Sequence, residues 1–139
     1  MRYSTGRLVA ILVGALVIAS ACASTASEPA EQPTLSVELT DFAVTAVPGT
    51  VKAGRVVFAI RNRAAMAHEL TVIRTDLAPN ALPIDGGKAT TDGKAGGVAN
   101  ISAGVSRTLA LELPAGRYVL ICNVPGHYQL GMRTALTVE

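Results

Sequence analysis

The stretch "YVLICNVPGHYQLGMRTALTV", Tyr118–Val138, reads as a strand, a loop and a second strand. The flanks are rich in β-branched and apolar residues, while Pro125, Gly126 and Gly131 interrupt the pattern between them. Cys122, His127 and Met132 lie in this window, spaced five and five. The chain has two cysteines and two histidines in all, so one window uses half of each. Spacing alone leaves three readings open: an accident of a β-hairpin, a nucleophilic cysteine–histidine pair, or most of a metal site.

Outward from this window the β pattern continues. "LSVELT" at 35–40 alternates, with Leu35, Val37 and Leu39 on one face. "DFAV" follows with the opposite parity, which predicts a bulge near Thr40–Asp41. "RVVFAI" at 55–60, "HELTVIRT" at 68–75, "VSRTLALEL" at 105–113, "GRYVLIC" at 116–122 and "MRTALTVE" at 132–139 read as further strands. Between Asp76 and Gly97 the composition changes to Pro79, Pro83, Gly86, Gly87, Gly93, Gly96 and scattered charges. That segment predicts a long surface loop with at most one helical turn. From Thr34 onward the sequence shows no amphipathic-helix pattern, and no internal repeat is evident. The 139 residues suit one domain, and the 50% hydrophobic content supports a core of Val, Leu, Ile and Ala. About seven short strands in roughly 105 residues predict an all-β, two-sheet β-sandwich.

Strand parity sharpens the opening question. His68 shares a face with Leu70 and Val72, Cys122 with Leu120 and Tyr118, and Met132 with Thr134, Leu136 and Val138. Each therefore points inward at a strand end, and His127 sits on the loop between two of them. If those ends meet, two imidazoles, a thiolate and a thioether converge. A trigonal two-His, one-Cys set with a weak axial Met is the donor set of a blue-copper electron-transfer site. Gly126 and Gly131 free the loop to turn beside its ligands, and Pro125 stiffens it. Tyr118 is expected in the core, Tyr128 as a packing or rim residue, and Met66 at the rim.

The competing chemistries fit less well. A nucleophilic Cys122–His127 pair needs a third group to orient the imidazole, and the loop offers only Asn123. Structural zinc favours thiolate and imidazole over thioether. A binuclear copper centre needs a second loop cysteine. A catalytic copper cluster needs more histidines than the chain has.

"GRYVLI", "CNVPGHYQLGM" and "TALTV" together resemble the copper loop of the cupredoxins, the plastocyanin/azurin superfamily. The Cys-x4-His-x4-Met spacing is most similar to the sulfocyanin and rusticyanin type. Upstream, "FAIRNRAAMAHEL" resembles the family's strand, asparagine and first-histidine segment. The resemblance covers roughly 34–139. It implies a Greek-key β-sandwich, one mononuclear type 1 copper, and ligands His68, Cys122, His127 and Met132. It implies a non-enzymatic one-electron carrier cycling Cu(I)/Cu(II); the alternative is a copper carrier or store without redox turnover. His127 would be the electron port, ringed by Met66, Ala67, Pro125 and Leu130. Glu69 stands where many members have Asn or Ser tying the ligand loops together. Its backbone N–H could still reach the Cys122 sulfur, and Asn123 could serve as the side-chain brace.

The N-terminus predicts the compartment. Arg2 and Arg7 precede the apolar run "LVAILVGALVIA", Leu8–Ala19, and "ASAC" ends at Cys22. Residues 1–21 are expected to be a signal peptide of lipoprotein type, with Cys22 lipidated. Residues 22–33, small, polar and proline-containing, are expected to be a flexible tether. A lipidated Cys22 leaves Cys122 without an intramolecular partner in an oxidising compartment, a further reason to suspect a metal. The expected protein is an extracytoplasmic, membrane-anchored monomer, periplasmic or on the outer face of the cell membrane. Membrane oxidoreductases or other redox proteins are its expected partners. Without Arg2 and Arg7, the twelve basic residues become ten, matching ten acidic ones. No basic run or aromatic–basic interleaving points to nucleic acid.

Overall fold

The computed structural model describes residues 1–2 and 31–139. Residues 3–21 of the expected signal peptide, Cys22 with its expected lipid, and the rest of the expected tether up to residue 30 lie outside the described residues.

Among the described residues, eleven strands follow in order: β1 Leu35–Thr40, β2 Ala43–Val47, β3 Thr50–Val51, β4 Gly54–Asn62, β5 His68–Arg74, β6 Ile84–Asp85, β7 Lys88–Ala89, β8 Lys94–Ile101, β9 Ser106–Leu113, β10 Gly116–Ile121 and β11 Arg133–Val138. The first sheet has the order β2-β1-β4-β9 and the second β3-β11-β10-β5-β8, with β6-β7 as a separate hairpin. Most pairings are antiparallel, but β1 lies parallel to β4 and β11 parallel to β3. The all-β Greek-key sandwich is therefore present.

Alternating apolar positions build the core as parity predicts. Val37, Leu39, Val56, Phe58 and Ile60 of the first sheet pack against Leu70, Val72, Leu120, Leu136 and Val138 of the second. Burying each such side chain contributes about 1.5–3 kcal/mol. Tyr118 joins this core and donates its hydroxyl to Pro114 O at 2.8 Å. Cys122 and Met132, both fully buried, belong to the same cluster.

Three local expectations need correction. Asp41 and Phe42 form a two-residue turn between paired Thr40 and Ala43, not a bulge within one strand. Phe42 is 47% exposed instead of continuing the apolar face. The register shifts lie between β5 and β8. The segment after Asp76 holds the β6–β7 hairpin and the start of β8, and it has no helical turn. β8, "KAGGVANI", lacks the alternation that marks a strand. Its glycines answer a packing need: a Cβ on Gly97 would stand 2.5 Å from Leu70 O.

The hairpin segment has a second role. Ile73, Val119 and Ile121 face outward from the second sheet and are covered by Leu82, Ala89 and Tyr128. β5 and β10 are thus buried on both faces. Strands buried in this way carry nearly continuous apolar runs, as "LTVI" and "YVLI" do.

Candidate metal centre

One pole of the sandwich gathers the end of β4, the start of β5, the end of β10 and the start of β11. Asn62 closes β4 and is fully buried. Its amide donates to Met66 O and Ile101 O, both at 2.8 Å, and its Oδ1 accepts the Ala64 N–H at 2.9 Å. A buried amide satisfied in this way fixes the β4–β5 loop, and that loop delivers His68 at the first position of β5. On the other side, Cys122 N–H donates to Met132 O at 3.0 Å, and Met132 N–H donates to His127 O at 3.1 Å. The loop between them is a closed backbone unit, not a free excursion.

Three donor atoms face one another. His68 Nδ1 and His127 Nδ1 are 3.2 Å apart. Cys122 Sγ is 3.6 Å from the first and 3.7 Å from the second. The point equidistant from these atoms lies about 2 Å from each, the length of a metal bond to an imidazole nitrogen. The residues present therefore fit a metal ion. His68 is 1% exposed, Cys122 and Met132 are fully buried, and His127 retains 9%. The thiol is shut away from any substrate, which argues against nucleophilic catalysis.

The electrostatics favour the neutral forms of Cys122 and His68. Burial pushes the Cys122 thiol pKa up, against the backbone N–H groups of Glu69 and Val124. Burial also holds the His68 imidazole below its usual value; His127 adds to this and Asp41 opposes it. A metal held here would require Cys122 as the thiolate, and the lowered His68 pKa favours the neutral imidazole that such a site would need.

The backbone N–H of Glu69 approaches Cys122 Sγ at 3.5 Å, as expected. Asn123 does act as a brace, but toward an unforeseen partner. Its Oδ1 accepts the Ala89 N–H at 2.8 Å and its Nδ2 donates to Ala89 O at 2.9 Å. Gly126 N–H donates to Gly87 O at 2.8 Å. Tyr128 Oη accepts the Leu82 N–H at 2.9 Å and donates to Pro79 O at 2.7 Å. The segment expected to be a loose loop is thus sewn to the ligand loop. Asp41 and Phe42 also lie at this pole and were not singled out from the sequence. Only the parity break beside them hinted at special geometry.

Residues 34–139 match the family described as copper binding proteins, plastocyanin/azurin family. No curated protein sequence matches. Among solved structures, auracyanin B is 25% identical with a TM-score of 0.58, covering 78% of this chain and 91% of that one. Auracyanin A, a "blue" copper protein from the green thermophilic photosynthetic bacterium Chloroflexus aurantiacus, is 23% identical with a TM-score of 0.51, covering 75% and 98%. Rusticyanin from Thiobacillus ferrooxidans is 18% identical with a TM-score of 0.54, covering 78% and 79%. The match spans every strand of both sheets, and the chain belongs to the plastocyanin/azurin family of copper-binding proteins.

Proposed function

We propose that His68, Cys122, His127 and Met132 hold a single type 1 copper, and that the protein is a one-electron carrier. The observation that carries this reading is the buried triangle of two Nδ1 atoms and one Sγ. Bound copper supplies the one-electron couple. The chain supplies the rest. The thiolate gives a soft, strong bond, the imidazoles suit both oxidation states, and the Met132 thioether is a weak axial donor. The braced loop and the dry core keep these donors in place while charge changes, so little must reorganise.

His127 is the electron port. It is the most exposed of the four ligands, and Phe42, Met66 and Leu130 at this pole are 47%, 48% and 59% exposed. No charged residue lies between Cys122 and Met132, so docking relies on a small apolar contact more than on charge steering.

The tether reading fits this orientation. Thr34 N–H donates to Val57 O at 2.8 Å, and Glu31 pairs with Arg55, near the start of β4. Asn62, at the metal pole, is seven residues further along that strand, roughly 23 Å at the rise of an extended chain. A lipid on Cys22, with residues 22–33 as a flexible tether, would therefore attach the domain at the end opposite the copper pole and let it reorient near the membrane. Extracytoplasmic redox proteins, including the exposed parts of membrane oxidoreductases, are the partners such a carrier would meet.

The test is a spectrum. One equivalent of Cu(II) should give an intense blue or green thiolate absorption that reductant bleaches and oxidant restores over repeated cycles. A colourless complex, or one that sheds its metal on reduction, would overturn the carrier reading.

A further inference from the structure

His68 has one polar atom without a partner. Its Nδ1 faces the other donors, while its Nε2 is buried and makes no hydrogen bond. A neutral imidazole that offers Nδ1 to a metal carries its proton on Nε2. Metal-ligating histidines nearly always hand that second N–H to a carboxylate, a carbonyl or water. The ring is 1% exposed, which leaves little room for water.

A carboxylate stands close by. Asp41 Oδ1 lies 3.8 Å from His68 Nε2, with the carboxylate side chain 51% exposed. We propose that Asp41 is the acceptor for the His68 Nε2–H, a positioning residue that fixes this ligand's tautomer and lowers the site's reduction potential. The proposal rests on the ligand assignment above. It concerns a residue outside the donor set and outside the loop-tying bond at Glu69.

The turn that carries Asp41 supports it independently. The next residue, Phe42, has φ 66, a left-handed backbone that a bulky side chain rarely adopts. Such strain persists only where surroundings impose it, and it clusters at functional sites. Here Phe42 sets its ring edge-on to His127, with centroids 6.3 Å apart. Its carbonyl oxygen also sits so near the ligand loop that a Cβ on Gly131 would meet it at 2.9 Å. One turn therefore approaches the first imidazole through Asp41, the second through Phe42, and the residue before Met132 through its backbone.

The chemistry follows from the pair. A small side-chain movement converts the approach into a charge-assisted hydrogen bond, among the stronger kinds. That bond orients the ring and keeps the Nδ1 lone pair directed at the other donors. The negative charge makes the imidazole a better electron donor, which favours the oxidised, more highly charged state of the site. The carboxylate is half-exposed and screened, so the expected bias is about fivefold, well short of a buried pair.

Asp41→Asn and Asp41→Ala separate this from a turn residue chosen for backbone reasons, since Asn serves a turn as well as Asp does. Measured on the full chain, Asp41→Asn should leave Cu(I) affinity nearly unchanged and weaken Cu(II) about fivefold. The potential should then rise by ~40 mV, at 59 mV per tenfold for one electron. Asp41→Ala removes the acceptor, and Zn(II) and Cu(I) affinity by competition should both fall about ten- to a hundredfold. In the metal-free protein, nitrogen NMR should find His68 protonated at Nε2. An unchanged potential in Asp41→Asn overturns the role in tuning. Unchanged Zn(II) affinity in Asp41→Ala, even with a lowered unfolding midpoint, shows a turn residue only and overturns the role in positioning. A parent chain that takes up no copper overturns the ligand assignment itself, and this inference with it.

Discussion

The Asp41–Phe42 turn and the segment from Asp76 to Gly93 both press on the ligand loop, but through different parts of it. The turn reaches ligand side chains: a carboxylate beside His68 and an aromatic edge beside His127. The segment reaches the loop's non-ligand residues, through the Asn123–Ala89 amide pair, Gly126–Gly87 and the Tyr128 hydroxyl. Its contribution also includes apolar cover for Ile73, Val119 and Ile121. The first contact is small, partly exposed and charged; the second is extended, buried and neutral. Buried neutral contacts decide whether the loop has one shape. Charge beside an imidazole decides which oxidation state that shape prefers. Stability and potential should therefore respond to different substitutions.

The largest effect should come from Tyr128. It is 2% exposed and joins the outer cluster, both hydrogen bonds to the segment, and a contact with Arg133, whose guanidinium lies 5.3 Å from the ring centroid. Tyr128→Ala should cost about 3–5 kcal/mol, as a buried aromatic truncation does. Denaturant unfolding of the metal-free protein checks it. A loss near 1 kcal/mol would mean that the segment is a loose cover, and the contrast with the turn would fail.

Asn123 should come next. Replacing it with Ala leaves the buried Ala89 N–H and C=O unpaired, at a cost of about 1–3 kcal/mol. Because Asn123 follows Cys122 directly, freeing it should also broaden the geometry around the sulfur. The thiolate absorption of the copper-loaded variant should change its band ratio while Asp41→Asn leaves that ratio alone. A variant with intact stability and a displaced potential would invert the division of labour drawn above.

The convergence of buried side chains at this pole was more legible in the sequence than its supports. His68, Cys122 and Met132 sit at strand ends, and period-2 parity places their side chains inward without knowledge of pairing. Asn123 was recognisable as a brace because it adjoins the cysteine. Its partner was not, because Ala89 offers only backbone atoms and lies in a stretch dominated by glycine, proline and charge. The same stretch hides β6 and β7, each two residues long, too short to show a period. β8 was obscured by Gly96 and Gly97, which are there because neighbouring atoms leave no space for a Cβ. The nearly continuous apolar runs of β5 and β10 did hold a clue to the outer cluster: strands with one solvated face alternate more strictly. Phe42 was misplaced for a physical reason. Its hydrophobicity argued for the core, and its backbone conformation, invisible to pattern, turns it outward.

Phe42 gives the smallest and most discriminating effect. A left-handed backbone costs an ordinary residue about 1–2 kcal/mol, and glycine escapes that penalty. Glycine brings its own entropic cost of about 0.5–1 kcal/mol, and the half-exposed ring gives up little burial. Phe42→Gly should therefore leave the unfolding free energy of the metal-free protein within about 1 kcal/mol of the parent. The copper spectrum should be unchanged, since no donor atom is removed and the contact with His127 is with its ring edge. What should fall is the rate of electron exchange, because the ring forms part of the apolar surface beside His127. A loss of about 2 kcal/mol or more would make Phe42 a packing residue and remove the reason for its strained position. Unchanged exchange with unchanged stability would leave the aromatic without a role at the port. A bulky side chain held where glycine fits better needs a compensating contact, and the edge of the His127 ring is the contact this structure provides.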